Sequence, residues 1–103
     1  MRVINPLAFT AERAWGALDV AEIEGATVRL HWTNAPYHWH TNDGAEVFVV
    51  LAGEVDMHYR VDGVEQVAHL KTGDIFHVGV GEEHYAAPIG AARVLVVERA
   101  GSV

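Results

Sequence analysis

Tyr37-His38-Trp39-His40-Thr41-Asn42-Asp43-Gly44-Ala45-Glu46-Val47-Phe48-Val49-Val50-Leu51-Ala52-Gly53 is the stretch around which the chain is organised. Its two histidines stand one residue apart. In an extended strand alternate side chains leave the same face, so His38 and His40 are expected to converge on one point while Trp39 faces away. Glu46 follows a short polar break and opens a run of valines and phenylalanine that favours strand. A carboxylate at that strand start can swing toward the imidazoles, and three candidate metal ligands then lie within nine residues. Asp43 competes with Glu46 for the carboxylate role, although Asn42 and Gly44 beside it read as a solvated loop.

A second stretch supplies a partner. Gly73-Asp74-Ile75-Phe76-His77-Val78-Gly79-Val80-Gly81-Glu82-Glu83-His84-Tyr85-Ala86-Ala87-Pro88 reads as a turn, a short apolar strand, a glycine loop and a further histidine. His84 is the fourth candidate ligand. His77 would line the cavity as an acid–base group if its face of the strand is inward. His31, His58 and His69 are expected on the surface. Glu82 and Glu83 read as a solvated acidic tip.

At these residues the chain resembles the cupin superfamily. His38, His40, Glu46 and Gly53 fit a first motif of His-any-His, a few residues, Glu, six residues and Gly. Gly73, Gly81 and His84 hold their places in the second. The chain departs from those motifs in having Gly79 for proline, Pro88 for asparagine, Trp32 where a leading glycine often stands, and five residues between His40 and Glu46. The resemblance implies a jelly-roll β-barrel holding a divalent metal through His38, His40, Glu46 and His84.

The rest of the chain agrees with an all-β reading. Glu24-Gly25 joins two alternating segments, Leu18 to Ile23 and Ala26 to Thr33, into a hairpin. Asp62-Gly63 is the strongest hairpin signal, because both positions tolerate positive φ; it joins Val55 to Val61 with Val64 to Leu70. Further strands are expected at Glu46 to Leu51, Ile75 to Val78, His84 to Ala87 and Ala91 to Arg99, with turns at Gly53-Glu54 and Pro88-Ile89-Gly90. Near the N-terminus, Thr10 before Ala11 to Trp15 is expected to cap one helical turn at most. Many short strands with regular turns argue for a sandwich or barrel.

The 103 residues make one domain, and the formal charge of −7 argues against nucleic acid and anionic membrane surfaces as partners. The absence of cysteine excludes disulfides and thiolate metal sites. With no long apolar run, the expectation is a cytoplasmic protein. Glu46 to Leu51 is apolar on both faces, which predicts cover from another layer or from a second copy in a homodimer. Nitrogen and oxygen donors suit Mn²⁺, Fe²⁺, Co²⁺, Ni²⁺ or Zn²⁺ without ranking them. Two function classes follow: a metal-dependent enzyme on a small organic molecule, of dioxygenase or isomerase/epimerase type, or a non-catalytic small-ligand binder with a structural or sensing metal.

Overall fold

In a computed structural model, residues 1–101 are described as six antiparallel strands and one 3-10 turn. β1 (Gly16–Ile23) and β2 (Ala26–Thr33) form the first hairpin, closed by Glu24 and Gly25 with φ of 51° and 81°. β3 (Glu46–Val61) and β4 (Val64–Leu70) form the second, closed by Asp62 and Gly63 at φ of 51° and 77°. Positive φ at both central positions gives these turns the twist that flanking strands require. β5 (Ile75–Val78) and β6 (His84–Arg99) complete the sheet. No helix among the described residues is long and apolar enough to cross a membrane.

The strand order is β1-β2-β6-β3-β4, with β5 pairing the first part of β3. Both long strands bend. The β3–β6 register shifts between Val50 and Ala52 and again between Ala52 and Glu54, and such bulges kink and twist a strand. The sequence reading placed turns at Gly53 and at residues 88–90. The chain instead runs through both points as one bent strand, with Gly53 and Gly90 at φ of 80° and 72°. Bending brings Phe48, Val50, Val94 and Val96 from one half of the sheet against Val55, Met57, Leu70 and Ala86 from the other. That single buried cluster closes the jelly-roll barrel.

The helical turn falls earlier than expected. Pro6 starts it with its fixed φ, and the Asn5 side chain accepts from Leu7 N at 3.1 Å, so the cap is Asn5 and not Thr10. This turn lies near β3 but buries none of its own residues.

Candidate metal centre

The site forms where β6 begins, beside the segment that leads into β3. His40 lies outside any strand, yet its backbone makes one bridge with His84, N to O at 3.2 Å and O to N at 3.1 Å. The rings of these two histidines stand with centroids 4.3 Å apart. Glu46, the first residue of β3, brings its Oε1 to 3.3 Å from His84 Nε2. Ligand atoms of His40, Glu46 and His84 all lie within 4.8 Å of one another. Two of the three are deeply buried, His84 at 2% exposure and Glu46 at 7%.

Backbone carbonyls orient both imidazoles. His40 Nδ1 donates to His38 O at 2.9 Å, and His84 Nδ1 donates to Glu82 O at 3.0 Å. Anchoring the Nδ1 proton leaves Nε2 of each ring as the donor toward the cavity, as metal-ligating histidines require. Glu46 is fixed in turn by Asn42 Nδ2, which donates to its Oε2 at 3.2 Å. His84 Nε2 is buried and, although near Glu46, makes no hydrogen bond. A buried nitrogen left in that state is the observation that fits a cation, which would take its lone pair.

The electrostatics follow from this crowding. Burial alone would raise the Glu46 carboxyl, but the neighbouring His84, Glu98 and Asn42 outweigh it and hold it below the usual range. Burial pulls the His84 imidazole down, and the Glu46 carboxylate with the Glu82 carbonyl more than compensates, so His84 is raised. His40 is lowered by burial, helped by the adjacent His84. Glu98 is pushed up to about 7, first by burial and then by its hydrogen bond with Glu46. A carboxyl at that value can give or take a proton near neutral pH.

A cavity of about 240 Å³ adjoins the three side chains, walled by Trp15, Arg29, His31, Tyr37 and Glu98. His31 corrects the sequence reading that left it on the surface. β2 pairs with β6 so that His31 lies opposite Val94 and Arg29 opposite Val96, on the face that carries the core. Its Nδ1 donates to Trp15 O at 3.0 Å, and burial lowers its pKa. Glu98 was missed, although its spacing of two and four residues from Val96 and Val94 places it on their buried face.

Other expected residues lie elsewhere. His38 does not join the group. Residues 37–40 are not a continuous strand, so the same-face argument fails there; His38 is exposed and stacks on Tyr37 at 4.0 Å between centroids. His77 is also exposed, because β5 turns Val78 inward in its place. Asp43 is exposed and pairs with Arg99 at 2.6 Å, so the carboxylate gathered with the imidazoles is that of Glu46. Glu82 and Glu83 are exposed, as expected of a solvated tip, and each also makes a bond, Glu82 Oε1 accepting from Gly79 N at 2.6 Å and Glu83 accepting from Arg60. His58 is half-buried against Tyr85, whereas His69 is at the surface as expected.

Residues 26–98 match the family model described as Cupin domain. No curated protein matches the sequence. Among solved structures, a cupin-2 domain containing protein from Shewanella frigidimarina NCIMB 400 is similar at TM-score 0.77 and 23% identity, over 86% of this chain and 84% of that one. A cupin superfamily protein from Desulfitobacterium hafniense DCB-2 gives TM-score 0.77 at 15% identity, over 91% and 85%. The hydroxypropylphosphonic acid epoxidase from S. wedmorenis gives 0.63 at 20%, over 71% of this chain and 42% of its own length.

Proposed function

The chain belongs to the cupin domain family, and from that premise we propose that it is a metal-dependent enzyme acting on a small organic molecule, with His40, Glu46 and His84 holding one divalent transition-metal ion. The buried, unbonded Nε2 of His84, 3.3 Å from a carboxylate, carries the reading. Two imidazoles and one carboxylate form a donor set suited to Mn²⁺, Fe²⁺, Co²⁺, Ni²⁺ or Zn²⁺. When bound, such an ion supplies Lewis acidity and, if redox-active, a place for O₂ and substrate to meet.

The protein's own groups do the rest. The cavity beside the ligands suits a molecule smaller than a typical drug. Trp15 and Tyr37 give it apolar walls, Arg29 offers a fixed cation at one side, and Glu98 offers a proton near neutral pH. Oxidative chemistry is the class to test first, since a two-histidine, one-carboxylate set with open positions is used by non-haem iron oxygenases and the epoxidase shares the fold.

The test is elemental analysis of protein purified without an affinity tag, followed by oxygen-uptake screening with small diols and keto acids. One divalent ion per chain, absent from His40→Ala, and substrate-dependent O₂ consumption are expected. Undiminished metal in His40→Ala refutes the ligand assignment. A loaded protein that retains a compound without turning it over refutes the enzyme and leaves the ligand-binding alternative.

A further inference from the structure

The geometry points to Arg60 as a positioning residue for the metal centre: from the outside of the barrel it ties together the two chain segments that carry His40 and His84. This rests on the metal-binding reading above and adds a residue that touches neither the ion nor the cavity.

The two imidazoles meet because two backbone segments lie side by side, and the one that carries His40 lies outside any strand. Among the described residues, the backbone of residues 37–42 is held by Tyr37 N to Ala86 O at 3.0 Å, by the His40–His84 bridge, and at its far end by Gly81 N to Asn42 O at 3.0 Å. Next to His40 itself, the lateral contact is made by Trp39, the residue immediately before it. Its ring meets Tyr85 edge-on at 4.7 Å between centroids, and the Arg60 guanidinium carbon lies 3.8 Å from the Trp39 ring centroid. A guanidinium at that distance is attracted by the face of the indole and stacks on it.

The same side chain grips the other segment. Arg60 Nη1 donates to Glu83 Oε2 at 2.5 Å, and Arg60 N donates to Glu83 O at 3.2 Å. Glu83 immediately precedes His84. Tyr85, immediately after His84, is stacked on His58 of β3 at 4.4 Å with the planes 3° apart. Three neighbours of the ligand histidines, Trp39, Glu83 and Tyr85, are therefore held on the outer face by two residues of β3, and Arg60 alone reaches both segments. Because Glu82 O sets the His84 tautomer and His38 O sets that of His40, a shift of either segment would turn a ring as well as move it. Groups that orient metal ligands typically influence affinity by one to two orders of magnitude.

The experiment compares Co²⁺ binding by the wild type, Arg60→Met, Arg60→Lys and His40→Ala, read as a dissociation constant and as the visible absorption of the bound ion. Thermal unfolding of each metal-free protein is measured alongside. Arg2→Met serves as a remote control, since Arg2 bonds the carbonyls of Asp19 and Val20 on β1. Arg60→Met is expected to weaken Co²⁺ binding by about tenfold and alter the absorption, with Arg60→Lys recovering part of the loss. Arg2→Met should bind as the wild type does. Wild-type Co²⁺ affinity and an unchanged spectrum in Arg60→Met overturn the inference while leaving the metal centre standing. A wild type that binds no Co²⁺, or a His40→Ala that binds it equally well, overturns the metal reading and the inference with it. Should Arg60→Met not fold, Glu83→Leu removes the acceptor at the other end of the same tie and carries the same expectations.

Discussion

Glu98 shows how a single side chain couples this pocket to pH. Its carboxyl is raised from the ordinary 4.5 to about 7 by burial and by the hydrogen bond to Glu46. Between those values the folded chain keeps a proton that the unfolded chain has released, so stability falls as pH climbs through the window. At face value the shift corresponds to about 3 kcal/mol, and because Glu98 is only half-buried, solvent screening reduces it to about 1 kcal/mol. Glu98→Gln keeps an N–H for Glu46 and removes the charge. Metal-free Glu98→Gln should melt with the wild type at pH 5 and roughly 5 °C above it at pH 8; equal melting temperatures at both pH values would refute the account. His69 runs the other way. Asp56 and Glu54 hold both its ring nitrogens, at 2.7 and 2.8 Å, and raise its pKa. A raised imidazole stabilises fully below its unfolded pKa of about 6.5 and ceases to do so as pH passes the folded value. The melting-temperature gap between wild type and His69→Gln should therefore be largest at pH 6 and close in alkaline buffer.

At the scale of elements, the bend in β3 decides whether a barrel forms, and Gly53 sits inside it. Its φ is 80°, and a Cβ there would meet Ala91 O at 2.5 Å and Ala92 Cα at 3.2 Å. Both contacts are backbone on β6, so neither can swing away. Gly53→Ala combines left-handed strain with that clash and should cost about 3 kcal/mol, read as a lower urea midpoint with an unchanged slope. The sequence signalled this position as a turn, since glycine between two strand patterns marks one, but only pairing with β6 reveals a strand carried through a bulge. The hairpins at residues 24–25 and 62–63 were legible because turn chemistry is local. Glu46 and His84 were legible as well, each opening a strand. His38 was not, because the two-residue alternation holds only where a partner strand keeps the backbone extended. His31 was not, because both faces of β2 carry mixed residues and its inward face is chosen by register with Val94 and Val96.

At the scale of the whole molecule, the His40, Glu46 and His84 group lies apart from the buried apolar cluster that closes the barrel. Val50, Val55, Met57, Ala92 and Val94 are completely buried and join the two halves of the sheet without help from His40, Glu46 or His84. The barrel should thus fold without metal, and a cation should add stability only by binding the folded form. At a hundredfold excess over its dissociation constant a single ion contributes about 2.7 kcal/mol, roughly 10 °C or more for a domain of this size. His40 is half-buried and outside the strands, so His40→Ala should leave the metal-free melting temperature within about 3 °C of wild type while abolishing the rise on adding Co²⁺. Scanning calorimetry of both proteins with and without the ion separates the two contributions. A metal-free His40→Ala that is already unfolded would place the histidine in the structural core. A variant that gains as much from Co²⁺ as the wild type would move the cation's site away from the meeting of the β3 start with the β6 start.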